Sequence, residues 1–204
     1  MKSFVIFLIF FVSFGSSRLF EGQCRSRPAP VVTSFDFSRY LGVWYEMEWY
    51  DDEYPTDDEC IKFTYTPTGF GSFDFLLESK HANDSFRYES FKGHGVEAFP
   101  DEKLGQLNTT YGKGPPKRVN YEILATDYDN FSFVWDCHNV NNTFYNEKFW
   151  YFSRDFRQSE RPKVVDDLLK EFFDPQFIRK TYHGPKCFIS QKFISVVNTL
   201  HEFI

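Results

Sequence analysis

Short strand-like segments separated by turn residues recur along most of the chain, and their spacing limits the fold more than any other feature. The first, residues 42–50, is dense in aromatic side chains, which favour strands. A second begins at Ile61, alternates apolar with polar residues and ends at Pro67-Thr68-Gly69. Further candidates follow at residues 72–79, 86–91, around Val96, 107–111, 118–125, 131–137 and 143–153. Eight or nine short strands joined by short turns predict a β-sandwich or a β-barrel.

One segment late in the chain has the pattern of an amphipathic helix. Pro162 stands near its start and Asp174-Pro175 stops it, as proline does at helix boundaries. Its apolar positions recur at helical spacing: Val164, Val165, Leu168, Leu169, Phe172 and Phe173. Because no linker, repeat or low-complexity block divides the 204 residues, we expect a single β domain that carries one helix.

The composition argues against nucleic acid as a partner. The chain has 23 basic and 29 acidic side chains, a net charge of −6, so it lacks the basic surface that a phosphate backbone requires. Phe, Tyr and Trp make up 21% of the residues. We therefore expect a fold built largely from aromatic rings and no nucleic-acid binding.

The amino-terminal residues predict export. Lys2 precedes an apolar run, residues 4–14, and Gly15-Ser16-Ser17 follow, which is typical of a signal peptide of residues 1–17. The run is too short to span a bilayer, which takes about 20 residues. Glycosylation sequons that fit an extracellular glycoprotein begin at Asn83, Asn108, Asn130 and Asn141. We expect a secreted protein with no integral membrane association.

The cysteines favour disulfides over metal binding. They are Cys24, Cys60, Cys137 and Cys187. Their number is even, no CxxC occurs, and the wide spacing fits no zinc template. Four cysteines allow three pairings, and spacing alone does not select one.

No catalytic or metal motif stands in a suitable context. Residues 93–98 fit a GxGxxA pattern, but Phe99-Pro100-Asp101 follows where a helix is needed, so a glycine-bent strand is the better interpretation. The acidic groups 51–53 and 57–59 lack EF-hand spacing. The five histidines form no HExxH, and no GxSxG elbow is present. We therefore expect no enzyme, no metal and no cofactor, and a binding function instead.

Three segments together resemble the lipocalin family. They are Gly42-Val43-Trp44, Thr126-Asp127-Tyr128, and Arg154 after an aromatic strand. Cys60-Ile61, residues 124–128 and the cysteine spacing are similar to the subgroup of apolipoprotein D and its arthropod relatives. The resemblance implies an all-β domain, an eight-stranded antiparallel up-and-down barrel with one C-terminal α-helix packed on its wall.

The resemblance also implies boundaries and structural roles. The barrel domain would span residues 18–187, and residues 188–204 would form a C-terminal extension. Trp44 would plug the closed end of the barrel, with the Arg154 guanidinium stacked over its indole as a cation–π contact. The implied disulfides are Cys24–Cys137 and Cys60–Cys187.

Period-two alternation extends this interpretation to the interior. If Trp44 points inward, Glu46 and Glu48 do so as well. The other candidates for ligand contact are Phe63, Tyr65, Tyr121, Ile123, Val134, Lys148, Trp150 and Phe152. Each ring could instead pack the wall beneath the helix or form an oligomer surface. Lys148 could meet a ligand carboxylate from inside the barrel mouth, whereas on the outside it would only be solvated. The sequence does not choose between these two positions.

Two functions of different classes fit these features. The first is secreted binding and transport of a small hydrophobic molecule, such as a fatty acid, sterol, retinoid or pigment, in the barrel cavity. The second is a protein-interaction or protective role for a barrel filled by its own rings. An isomerase-like enzyme would require an unpaired cysteine. The ligand and the oligomeric state are left open.

Overall fold

The computed structural model describes residues 19–24, 26, 28–50, 58–82, 88–111, 121–184 and 187. The expected signal peptide, the Asn83 sequon, the acidic residues 51–53 and 57, and the extension 188–204 lie outside these residues. In the described part the elements are β1 (Phe20–Glu21), α1 (Phe37–Tyr40), β2 (Gly42–Trp49), β3 (Asp58–Gly69), β4 (Ser72–His81), β5 (Tyr88–Glu97), β6 (Gln106–Tyr111), β7 (Tyr121–Thr126), β8 (Phe131–Asn139), β9 (Phe144–Ser153), α2 (Lys163–Phe172), a 3-10 turn (Pro175–Phe177) and β10 (Arg179–Lys180).

Strands β2 to β9 form a closed antiparallel barrel. Each strand pairs with the next along the chain, and β9 returns to pair with β2. The prediction of an eight-stranded antiparallel barrel with one C-terminal helix is confirmed. The segments predicted separately at residues 86–91 and around Val96 form one strand, β5. Gly93 and Gly95 interrupt the apolar pattern there, yet they continue the ladder with β4.

Strand β2 changes its partner halfway along. It pairs with β3 through residues 42–45, and β10 then lies opposite residues 48–49. The Cys60 amide of β3 donates to the Tyr182 carbonyl at 2.9 Å. Residues 179–183, which we call the strap, therefore fill the wall where β3 diverges from β2.

Alternation along the strands separates two apolar cores. The first lies inside the barrel and includes Trp44, Phe63, Tyr65, Phe73, Phe75, Leu77, Tyr121, Ile123, Val134 and Phe152. The second lies outside the barrel wall, between the sheet and α2, and includes Phe133, Trp135, Phe149, Tyr151, Val165, Leu168, Leu169 and Phe173.

Helix α2 packs on the outer wall through its apolar face. It begins after Pro162, whose fixed φ suits a helix start. Val165, Leu168 and Leu169 are buried, whereas Val164, which we expected on the apolar face, is exposed to solvent. Phe172 at the end of the helix is partly buried against the same core.

Candidate ligand-binding site

The strand register decides which side chains face the interior. Residues directly opposite each other in an antiparallel pair share a face of the sheet. Trp150 lies opposite Val134, and Phe152 lies opposite Glu46. The inner face thus carries all the residues that the sequence selected for ligand contact: Glu46, Phe63, Tyr65, Tyr121, Ile123, Val134, Lys148, Trp150 and Phe152.

The expectation that Glu48 also points inward is wrong. The β2–β9 register shifts between Glu46 and Glu48, and a bulge of this kind breaks the alternation. Glu48 lies opposite Tyr151 on the outer face, where its carboxylate accepts a hydrogen bond from Arg161 at 2.6 Å. Trp49 lies opposite Trp150 and takes the inner face instead.

The closed end of the barrel is built around Trp44, which is fully buried. The Arg154 guanidinium carbon lies 3.6 Å from the indole centroid, which is the stacking that the resemblance implies. The indole N–H donates to the Tyr40 carbonyl at 2.8 Å. Arg154 also donates to the backbone carbonyls of Arg39, Tyr40, Leu41, Val43 and Tyr128. One side chain therefore joins the segment around α1, strand β2 and the β7–β8 turn.

A chain of hydroxyl groups crosses the interior. The hydroxyls of Tyr65 on β3 and Tyr121 on β7 lie 3.1 Å apart, and these strands stand four positions apart in the ring of eight, on opposite walls. The Tyr121 hydroxyl also lies 3.2 Å from that of Tyr40, which lies 2.9 Å from the Ser132 hydroxyl. Burial raises the pKa of Tyr40 to about 12 and raises the pKa of Tyr121 well above its ordinary value. These groups are therefore neutral hydrogen-bonding partners at ordinary pH.

Two glycines of β5 allow phenylalanine rings to lie against the backbone. Phe75 lies opposite Gly93, and Phe73 lies opposite Gly95. Ring atoms of the two phenylalanines stand 2.1 Å and 2.2 Å from where a Cβ would be placed at these glycines. Any larger residue would collide with the rings. The glycines of the GxGxxA pattern thus belong to a strand and do not form a dinucleotide loop.

Polar groups occupy the inner face toward the mouth, the end opposite Trp44. Lys148, two residues before Trp150 on β9, lies opposite Asp136 of β8, and both are largely buried. Glu46 lies deeper, and its carboxylate accepts a hydrogen bond from the Thr181 hydroxyl of the strap at 2.9 Å. Lys148 thus faces the interior, on the same face as the carboxylates of Asp136 and Glu46.

A second polar group joins strands β3, β4 and β5. The Ser79 hydroxyl donates to the Asp58 carboxylate at 2.9 Å. The His81 imidazole lies 3.4 Å from Asp58 and 3.1 Å from Glu89. The Ser79 hydroxyl bonds the Asp58 carboxylate and not the His81 imidazole, so these residues do not form a serine–histidine pair.

Phe91 stands out among the inner residues because it remains 48% exposed. It lies opposite Leu77 of the interior core, on the wall across from β9, where Trp150 is partly exposed. Phe91 and Trp150 are thus accessible rings of the inner face, and they lie on opposite walls of the barrel. Phe91 and Trp49 are inner residues that were not predicted from the sequence. Phe91, Gly93 and Gly95 occupy alternate positions of β5, so they share one face of the sheet. The prediction of two separate segments in place of β5 concealed this alternation.

All four cysteines lie within the described residues, and they form the pairs Cys24–Cys137 and Cys60–Cys187, which leave none of them free. In the part of the chain that the structure describes, no cluster of three or more His, Cys, Asp or Glu side chains is arranged to hold a metal ion. No helix of the described residues is both long and apolar enough to cross a membrane.

Comparison with known proteins shows what this barrel is similar to. No family model matches the chain. Mouse apolipoprotein D is 31% identical over 135 residues, which cover 66% of this chain and 64% of that protein. The bilin-binding protein of Pieris brassicae is 28% identical over 121 residues, or 57% of this chain and 59% of that protein. The chain resembles the lipocalin family over about two thirds of its length.

The fold of this barrel agrees with a solved structure. Insecticyanin from the tobacco hornworm Manduca sexta superposes with a TM-score of 0.67 at 21% identity, over 84% of this chain and 92% of that one. The chain is similar to apolipoprotein D and to an arthropod relative, and its match spans less than two thirds of the mouse protein.

Proposed function

We propose that this protein binds and carries a small hydrophobic molecule, such as a fatty acid, sterol, retinoid or pigment, near the mouth of the barrel. The observation that carries the proposal is the half-exposed Phe91 on the inner face, across the barrel from the partly exposed Trp150. An apolar ligand between two such rings is removed from water, which contributes about 0.8 kcal/mol per buried methylene. The Pieris brassicae relative is named for binding bilin, which supports a ligand of this class.

The polar groups near the mouth would orient the ligand. Lys148 and Asp136 lie side by side on the inner face, on the mouth side of Trp150. A few polar groups beside an apolar surface are typical of small-molecule sites, where they fix the orientation of the bound molecule. We therefore propose that the ligand carries a polar end that faces these two residues.

We also propose that the protein is secreted. The signal-peptide pattern of residues 1–17, two disulfides and the sequons support an extracellular carrier. Asn130 and Asn141 are exposed in turns between barrel strands, where a glycan can be accommodated. The Asn108 sequon lies on strand β6 and is only partly exposed.

Tryptophan fluorescence tests the binding function. We expect saturable quenching with retinol and with fatty acids, and native mass spectrometry of the secreted protein should show a bound small molecule. Trp150→Ala should weaken binding at least tenfold, because it removes a ring that the ligand contacts. Trp135→Ala is the matched control: this indole lies on the outer wall under the helix, so affinity should not change. Equal affinity in both variants would contradict the proposed site.

A second function is supported by the packing of the interior. Trp44, Phe63, Phe73 and Phe75 are almost completely buried, as are Glu46 and Lys148. A barrel this well filled fits a protein-interaction or protective role, with no bound ligand. The absence of both quenching and a co-purified molecule would favour this second function.

A further inference from the structure

The contact between the Tyr65 and Tyr121 hydroxyls, which we call the bridge, limits how deep the interior is open. Tyr65 and Tyr121 meet across the barrel at 3.1 Å. Their neighbour Tyr40 lies against Trp44, with the two ring centroids 5.3 Å apart. All four side chains are buried. The interior is therefore filled from the closed end up to the bridge.

Phenylalanine rings extend this filled layer to the β4–β5 wall. The Phe73 ring centroid lies 5.3 Å from that of Tyr65, and the Phe75 centroid lies 6.1 Å from it. Because Gly93 and Gly95 have no side chains, both rings reach the backbone of β5. We call the layer formed by Tyr65, Tyr121, Phe73 and Phe75 the floor.

We propose that the floor limits the apolar part of the ligand to a short or compact group seated between Phe91 and Trp150. The inference rests on the proposed ligand binding and adds the size of the molecule that is accepted. Trp150 stacks on Tyr121 with ring centroids 6.2 Å apart, so it stands at the edge of the floor. Phe91 is the next inner residue toward the mouth from Gly93. A long chain that enters between these rings meets the floor and leaves its remaining length in water.

A series of straight-chain primary alcohols from octanol to hexadecanol tests the floor, with affinities measured by tryptophan quenching. Their heads are uncharged, so the mouth carboxylates and Lys148 affect all members equally. In a pocket of unlimited depth each added methylene raises the affinity about fourfold. We expect this increase only among the shorter alcohols of the wild-type series, followed by a plateau.

Variants of Phe75 identify the floor as the cause of the plateau. Phe75→Leu and Phe75→Ala should move the plateau to longer alcohols, with the larger shift in the alanine variant. Phe133→Leu and Phe133→Ala are matched controls, since this buried phenylalanine packs outside the wall under α2. They should keep the wild-type plateau, and the leucine variants keep the comparison valid if the alanine variants do not fold.

Two results would overturn the inference in distinguishable ways. Affinity that rises to hexadecanol in the wild type, or a plateau that stays in place in the folded Phe75 variants, would exclude the floor while leaving ligand binding intact. No binding of any alcohol, retinol or fatty acid by the wild type and the Phe75 variants would overturn the proposed function, and the inference with it.

Discussion

Glu48 and Arg161 are joined by a salt bridge of 2.6 Å that connects barrel strand β2 to the segment leading into helix α2. Arg161 also contacts Asp166 of the helix at 2.7 Å. The Glu48 side chain is buried while that of Arg161 is partly exposed, so this pair is less screened than a surface ion pair. We expect Glu48→Gln to lower the free energy of unfolding by about 1.5–3 kcal/mol, as for a hydrogen bond to a charged group.

Urea denaturation of matched variants checks this value. Asp167→Asn removes the Lys163–Asp167 pair on the same helix, whose side chains are mostly exposed, and should leave the midpoint unchanged. Similar midpoints for Glu48→Gln and the wild type would show that the buried pair contributes nothing net.

Substitution of Arg154 should destabilise the protein more than substitution of Arg157, which lies three residues later. Arg154→Ala removes the stack on Trp44 and the donors to five carbonyls. Because hydrogen bonds from a charged donor contribute about 1.5–3 kcal/mol each and are not additive, we expect a loss of at least about 3 kcal/mol. Arg154→Lys keeps the charge but lacks the fork of donors, so it should recover only part of this loss.

The control for Arg154 is Arg157, three residues later. It lies 5.9 Å from the Phe156 centroid and pairs with the exposed Asp155. Arg157→Ala should leave the thermal midpoint unchanged. Equal midpoints for Arg154→Ala and Arg157→Ala would contradict the structural role of the stack.

Most strands and the helix could be predicted because their signals are local, whereas the order of the strands in a barrel was implied by the resemblance to lipocalins. Alternation also placed Lys148, Trp150 and Phe152 correctly on one face, since no bulge interrupts β9 between them. The same rule failed at Glu48, where the register shift in β2 depends on neighbouring strands. Periodicity within a single segment does not reveal such a shift.

Features that depend on contacts between residues far apart in the sequence could not be predicted from local patterns. The strap contains a strand of two residues, β10, which is too short to show a period. The Tyr65–Tyr121 contact joins strands 56 residues apart in sequence, so it depends on barrel closure and register. The interior residues could thus be identified from the sequence. The depth at which their side chains fill the barrel could not be predicted from it.

The buried tyrosines predict a loss of stability at alkaline pH. Burial raises the pKa of Tyr40 to about 12 from 10.0, so the folded state holds its proton more tightly than the unfolded chain. The contribution of Tyr40 is fully present below pH 10.0 and is lost as the pH rises toward 12. We expect the urea midpoint to fall across this window, and to fall less steeply in Tyr40→Phe.

An exposed tyrosine separates this effect from general alkaline unfolding. Tyr182 is 58% exposed, so Tyr182→Phe should follow the wild-type pH dependence. Tyr40→Phe should also lower stability at neutral pH by about 1–3 kcal/mol, because the Ser132 and Tyr121 hydroxyls lose a buried partner. A Tyr40→Phe curve parallel to that of the wild type would mean that Tyr40 does not control the alkaline transition.

The two disulfides should contribute similar amounts through the unfolded chain. Cys24–Cys137 and Cys60–Cys187 join residues separated by 113 and 127 positions, and loops of this length give about 5 kcal/mol each in the chain-entropy model. Peptide mapping without reduction should recover these two crosslinks and no free thiol. A Cys24–Cys60 crosslink would contradict the pairing and reopen the question of a reactive cysteine.

The disulfides should differ in what they hold in place within the folded barrel. Cys60–Cys187 anchors the strap, whose Thr181 amide donates to the Met47 carbonyl at 3.0 Å. In the double variant Cys60→Ser/Cys187→Ser we therefore expect faster hydrogen exchange at Thr181, because the strap is fixed only by its bonds to β2 and β3. The double variant Cys24→Ser/Cys137→Ser loses a crosslink on the outer wall and should keep Thr181 protected. Equal exchange at Thr181 in the two variants, measured where both remain folded, would show that the strap is held without its disulfide.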